Sequence, residues 1–504
     1  MKNAALDRFF RKIGAAGEAL TYEDVRLRTD HSSVLPKDVD LHSRFSRNVS
    51  LNIPVVSAAM DRVTEYKMAI ALAKYGGLGV IHKNMTPPEQ ALSVARVKHY
   101  LNGLIESPIC IDAKETIEVV LRWRDEKGYT FHTFPVTEKN ILVGLMTRND
   151  FDFVSDKDRP VRDVMTPLRE LMTAPSGTSI KEAYVKMQKG KKKVLPLTTK
   201  GGKLAGMYVF SDLERILAGN SSSNTDKAGN LRVAAAIGVG EMALERAKLL
   251  SESRCDVFVI DTAHGDSENV FQTIKKVKAR YPRIDIVAGN VSRGESAKRL
   301  AKAGADGVLV GQGPGSICTT RIISGIGTPQ VSAVYDCAKA LRGSGVPVCA
   351  DGGISNSGDM VVALGVGAES VMLGRLLAGS LEAPGETRIV QGMKVKDYRG
   401  MGSIGAMREN IASRERYRQG TTPLNKLVPE GVEALVPFSG SVSESLDQYV
   451  GGIRSGMGYI GAEDIGELRR KAEIFRITPA GLKESHPHDL LYVEDAPNYR
   501  RKES

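Results

Sequence analysis

No apolar run in the 504 residues approaches the ~18 that a membrane-spanning helix needs. The first residues, Met-Lys-Asn-Ala-Ala-Leu-Asp-Arg, hold no apolar signal core, and the final Arg-Lys-Glu-Ser is no known address. Cys-x-x-Cys pairs are missing too. The five cysteines, Cys110, Cys255, Cys318, Cys337 and Cys349, are odd in number and widely spaced, which argues against a disulfide framework and a thiolate zinc site. No block of one charge stands out either. The net +11 is spread along the chain, so it permits an anionic partner without requiring nucleic acid. Together these absences lead to the expectation of a soluble protein of a reducing compartment, the cytoplasm, with no membrane contact.

Hydrophobic content of 42% and charged content of 26% are those of a globular chain. The length exceeds one ordinary core, so two domains or one large barrel with an insertion are expected. Short apolar, β-rich runs ending in Gly, Asp, Asn or Ser recur at 53–57, 78–81, 233–237, 257–260, 284–287, 307–310, 346–349 and 370–373. Most precede amphipathic helical patterns, for example 242–251, 296–303 and 333–341. Buried continuous runs alternating with helices indicate parallel strands, and eight such units predict an α/β fold of the (β/α)8 TIM-barrel type.

The spacing breaks once, where about 150 residues separate the second and third runs. Inside lies a near-repeat: Phe134-Pro-Val-Thr137 and Leu142 to Asp150 are echoed by Leu195-Pro-Leu-Thr198 and Leu204 to Asp212. Each copy reads as strand, turn, strand, then an acidic residue opening a helix. The pair resembles a tandem CBS (Bateman) domain, inserted at 96–222 between barrel parts at 1–95 and 223–504. That resemblance implies purine nucleotides such as ATP or GTP as ligands, with Asp150 and Asp212 at the ribose hydroxyls; an inert pair packing only on itself stays open. From about 402 to 440 the chain is rich in Arg, Glu, Gly and Pro without sustained period, and a long mobile flap is expected there.

In a (β/α)8 barrel the chemistry sits at the C-terminal strand ends. Those ends carry Ser57 and Met60, His82 and Lys83, Asp261, Asn290, the stretch 311–320, Asp351-Gly-Gly353 and Gly374-Arg375. Glycines after the seventh and eighth strands let backbone N–H groups approach a phosphate, and Arg375 adds a planar fork suited to it. Sharpest is Gly313-Pro-Gly-Ser-Ile-Cys-Thr-Thr320, which places a thiol on a glycine-rich loop with polar neighbours. Cysteine is a strong nucleophile once deprotonated. Cys255, Cys337 and Cys349 stand in apolar or helical contexts and read as small core hydrophobes.

At this point the residues resemble a family along nearly the whole chain, that of IMP dehydrogenase and GMP reductase. The matching stretches are Leu51-Asn-Ile-Pro-Val-Val-Ser-Ala-Ala-Met60, 313–320, Ala350-Asp-Gly-Gly-Ile354 and Tyr398-Arg-Gly-Met-Gly-Ser403. Further ones are Arg416-Tyr417, Pro429-Glu-Gly431, Arg454-Ser-Gly-Met-Gly-Tyr459 and Glu484-Ser-His486. The dehydrogenase branch implies oxidation of IMP with NAD+ through a covalent Cys318 adduct at C2 of the hypoxanthine. The resemblance gives Arg416 the role of general base for water, carried with Tyr417 on the flap, with Thr320 positioning that water. It places IMP against Ser57, Met60, Ser316, Asp351, Gly352, Gly353, Gly374, Arg375, Tyr398, Gly400, Met401, Gly402 and Glu430. NAD+ falls to Asp261, Thr262, Ala263, Asn290, Gly311 and Gly313. A potassium ion is implied at the carbonyls of Gly313, Gly315 and Cys318, with Glu484, Ser485 and His486 from a neighbouring subunit. A homotetramer follows, with an octamer open.

Two positions depart from the family pattern: Arg375 stands where Ser is common, and Gln312 where an apolar residue is usual. GMP reductase, the nearest rival, shares the barrel and cysteine loop. Its pattern has a shorter segment after the eighth strand, reads Ser-Ser-Glu where this chain has Gly402-Ser-Ile, and lacks the Arg-Tyr pair. A non-catalytic nucleotide sensor would predict a damaged site, yet Cys318, Asp351, Arg416 and Tyr417 are all present.

Overall fold

Residues 3–100, 104–105, 108–126, 132–217, 222–490, 496 and 499 are described by the structure, a computed structural model. The chain divides into two compact units, Met1–His99 with Ser222–Ser504, and Tyr100–Ser221.

The first unit is a closed parallel barrel. Its strands are β1 (Val55–Ser57), β2 (Leu78–Ile81), β3 (Ala234–Ile237), β4 (Val257–Asp261), β5 (Asp285–Val291), β6 (Gly307–Val310), β7 (Val348–Asp351) and β8 (Ser370–Leu373). Closure runs through Val371 beside Val55 and Met372 beside Val56. Despite the long interruption β2 and β3 are neighbours, Val80 pairing with Ala234. All eight strands are buried at every residue apart from the last one of β7, Asp351, which is why they read as unbroken apolar runs rather than alternating ones. Val56, Leu78, Val80, Ala234, Ala236, Val257, Val259, Val287, Leu309, Cys349 and Met372 form one cluster inside the barrel, joined by Phe45 and Val49. Each fully buried Val, Leu or Ile is worth roughly 1.5–3 kcal/mol. An exposed ion pair such as Lys276–Glu241 contributes about 0–1 kcal/mol, so packing decides the fold. Cys255, Cys337 and Cys349 are buried; burial pushes the Cys255 thiol up to about 12 and the other two higher still.

Each strand is followed by a helix on the outside, from Tyr66–Tyr75 after β1 to Ser357–Gly365 after β7. Their starts are set by local chemistry. Thr86 and Glu89 form a reciprocal capping box at Pro87–Lys98, and Asn356 accepts from the Asp359 N–H at Ser357–Gly365. The eighth helix, Val442–Ile460, comes late. The stretch between β8 and that helix differs from the expected long loop. It contains a hairpin, Arg388–Val390 with Met393–Arg399, two short helices, Ile404–Glu409 and Ile411–Arg416, and a strand, Glu433–Pro437, laid antiparallel on Met393–Arg399. Each piece is too short to show a period. Ser403 caps the first helix, while Asn410 ends that helix and caps the second.

The second unit holds two sheets of matching design. In one copy the hairpin Phe134–Glu138 and Ile141–Met146 precedes the helix Arg148–Asp152; in the other, Val194–Thr198 and Leu204–Val209 precede Phe210–Leu217. Even the irregularity repeats, with a register shift just after Val136 opposite Gly144 and just after Leu197 opposite Gly206. This is the paired arrangement expected of the CBS insertion.

Candidate active site

The strand ends converge where β6 and β7 emerge. Gly311, at φ +153°, leaves β6 so close to the Asp351 carbonyl that any Cβ would collide with it; only glycine allows that approach. The loop that follows is wound around one guanidinium. Arg321 donates through Nε to the Gln312 carbonyl at 3.3 Å and through Nη2 to the Thr328 carbonyl at 2.6 Å. A Cβ at Gly313 or Gly327 would lie 2.6 Å from the Arg321 side chain, so both glycines are sterically required. The far edge of the loop is zipped to residues 430–432: Thr319 N–H donates to the Glu430 carbonyl and Val432 N–H to the Ile317 carbonyl, each at 3.0 Å.

Cys318 sits between these anchors, half-buried, with its Sγ 3.2 Å from Thr320 Oγ1. The cavity beside it is lined by residues from the ends of β1, β4, β5, β6 and β7 and from the segment after β8. Of the predicted residues it unites Met60, Thr262, Ala263, Asn290, Gly311, Gly313, Gly315, Cys318, Thr320, Asp351, Gly352, Tyr398, Gly400, Met401, Arg416, Tyr417 and Glu430. Asn290 Nδ2 donates to Asp351 Oδ2 at 2.7 Å and to the Gly311 carbonyl at 2.9 Å. Burial pushes the Asp351 carboxyl up to about 6, and the Asn290 hydrogen bond only partly opposes this. Asn290 Oδ1 is buried without a hydrogen-bond partner among the described residues. Burial likewise raises the Tyr398 hydroxyl to about 12.

The flap helix Ile411–Arg416 ends at the same cavity. Arg416 is ion-paired with the Asp261 carboxylate, and the Ala263 N–H donates to the Arg416 carbonyl at 3.1 Å. Tyr417 packs on Gly402 so closely that a Cβ there would lie 2.6 Å from the ring. Lys83 Nζ donates to the Asp261 carbonyl at 3.1 Å. Its ammonium is brought down to about 7, first by burial and then by the charge of Arg416.

Other predicted residues stand apart from the cavity wall. Ser57 is fully buried and accepts from Thr64 Oγ1 at 2.8 Å. Asp261 lies behind Arg416. Ser316 and Arg375 are exposed, the latter with Nη2 3.4 Å from the Ser355 carbonyl; Gly353, Gly374 and Gly402 flank the wall through Pro314, Tyr398 and Tyr417. Glu484, Ser485 and His486 occupy the exposed end of the helix Pro479–Glu484, where Ser485 Oγ donates to the Gly481 carbonyl at 2.8 Å. In the inserted unit Asp150 accepts from Thr147 N–H and Oγ1 at 2.7 and 2.9 Å, closing a capping box, and Asp212 is in the first turn of Phe210–Leu217. Three lining residues carried no predicted role: Gln312, Pro314 and Ile317. Pro314 and Ile317 lay inside the predicted motif, and Gln312 stood out only as a departure from its pattern.

A model of the IMP dehydrogenase / GMP reductase domain matches residues 19–488. The chain is 47% identical to the inosine-5′-monophosphate dehydrogenase of Halalkalibacterium halodurans, over 96% of this chain and 98% of that protein. The corresponding protein of Aquifex aeolicus is 45% identical, with the same shares covered. Among solved structures, a cysteine-to-alanine variant of GMP reductase from Trypanosoma brucei in complex with guanosine 5′-monophosphate superposes with TM-score 0.86. It is 39% identical and is covered over 99% of its length by 95% of this chain.

Proposed function

The chain belongs to the IMP dehydrogenase / GMP reductase family, and within it we propose that it is the dehydrogenase, oxidising IMP to xanthosine 5′-monophosphate with NAD+ and water. The observation that carries this reading is Arg416 and Tyr417 in the wall of the cavity that holds Cys318. An oxidation that ends in hydrolysis needs groups to activate water beside the adduct; a reductase has no such need.

In the proposed mechanism the Cys318 thiolate attacks C2 of the hypoxanthine, forming a C–S bond while the C2 hydrogen leaves as hydride. NAD+, when bound, accepts that hydride. Water then adds to C2, with Arg416 taking its proton and Thr320 orienting it. The C–S bond breaks, product leaves and the thiolate is restored. Asp351 holds the IMP ribose hydroxyls. Met60, Tyr398, Gly400, Met401 and Glu430 surround the base and phosphate side, where Ser57, Ser316, Gly352, Gly353, Gly374, Arg375 and Gly402 complete the set by resemblance. Thr262, Ala263, Asn290, Gly311 and Gly313 form the dinucleotide side, and the partnerless Asn290 Oδ1 suits a ribose hydroxyl. Asp261 serves that side when Arg416 is away and holds Arg416 when it is docked. The reading extends to potassium at the Gly313, Gly315 and Cys318 carbonyls, with Glu484, Ser485 and His486 from a second copy in a homotetramer. It also extends to purine nucleotides near Asp150 and Asp212 and to a cytoplasmic enzyme.

The likeness to a GMP reductase structure favours a second reading, and one assay separates the two. NADH formation from IMP is the expected result, and NADPH-dependent loss of GMP in its place overturns the assignment. A second expectation concerns pH. Asp351 is ionised only above about 6, so kcat/KM for IMP falls as pH drops through that value. Asp351→Asn loses this acid limb, and a profile that keeps it assigns the limb to another group.

A further inference from the structure

We propose that Gln312 is a positioning residue that ties the cysteine loop to the dinucleotide side of the cavity and thereby sets affinity for NAD+. This rests on the assignment of Thr262, Ala263 and Asn290 to that side. The amide is engaged at both ends. Nε2 donates to the Ala263 carbonyl at 3.2 Å and lies 3.2 Å from His264 Nδ1. Oε1 accepts from Ser292 Oγ at 2.8 Å, and Ser292 Oγ in turn accepts from Thr328 Oγ1 at 3.1 Å. The orientation of the amide follows from its partners, because a carbonyl such as that of Ala263 can only accept. Three consecutive strand ends are therefore joined by one side chain: 263–264 after β4, 292 after β5 and 312 after β6. Asp351 and Tyr398, on the nucleotide side, are not among its partners. An apolar residue in the place of Gln312 can make none of these bonds, and the buried Ser292 hydroxyl would then lose its acceptor.

The test uses the full-length enzyme with Gln312→Met, Ser292→Ala and the double variant, after wild-type NADH formation from IMP has been established. That first assay judges the functional reading by itself. Gln312→Met is expected to raise KM for NAD+ about fivefold while KM for IMP stays within about twofold and the melting midpoint is held. Ser292→Ala is expected to raise KM for NAD+ in the same direction, and the double variant to add little to Gln312→Met. An unchanged KM for NAD+ in Gln312→Met, an equal rise for IMP, or fully additive effects would overturn the proposal.

Discussion

Cys318→Ala is expected to lower NADH formation from IMP by at least about 10⁴-fold while leaving IMP affinity nearly unchanged. The reason is chemical. C2 of a hypoxanthine gives up hydride readily only after a nucleophile has added to it, and Cys318 is the only cysteine lining the cavity among the described residues. Cys255, Cys337 and Cys349 are buried with their thiols held neutral, and Cys110 belongs to the other unit. Affinity survives because the hydrogen-bonding groups assigned to IMP, Asp351 and Tyr398 among them, are untouched. The loop itself is held by Arg321 and by backbone bonds from Thr319 and to Ile317, none of which uses the thiol. Calorimetric binding of IMP beside a turnover assay checks both halves. Residual turnover above about one hundredth of wild type would remove the cysteine from the reaction.

Arg416→Ala carries the second large effect, and it falls on the later step. The first turnover should still release NADH in a burst of about one equivalent per site, because attack and hydride loss do not use Arg416. Steady-state turnover should drop by about 10²–10³, the usual range for a lost proton-transfer group. Arg416 now pairs with Asp261, and that carboxylate would be freed for the dinucleotide, so affinity for NAD+ should hold or rise. Stopped-flow absorbance separates burst from steady state. Loss of the burst itself would place Arg416 in binding or hydride loss instead.

Most of the barrel was legible because its strands are buried on both faces. Val257–Asp261 and Gly307–Val310 read as apolar runs for the same reason that they pack without exposure. The cysteine loop was legible through its glycines, whose need is now visible in the Arg321 side chain threaded between Gly313 and Gly327. The segment after β8 was not. Its helices Ile404–Glu409 and Ile411–Arg416 are six residues each and are held by caps at Ser403 and Asn410 rather than by an amphipathic period. Ser57 shows a limit of another kind: it stands at a strand end with its hydroxyl against Thr64, and nothing in a sequence shows which side of a strand end a short side chain takes. Gln312 was noticed without a role, because its partners Ala263, His264 and Ser292 are brought near only by the closing of the barrel.

The central claim, that Cys318 carries the purine during oxidation, is tested most directly by quenching the enzyme during turnover with IMP and NAD+ and mapping its peptides by mass spectrometry. The expected result is a purine nucleotide adduct on the peptide containing Cys318, formed only when both substrates are present. An adduct on another residue, or active turnover with the Cys318 peptide unmodified at every quench time, would contradict it.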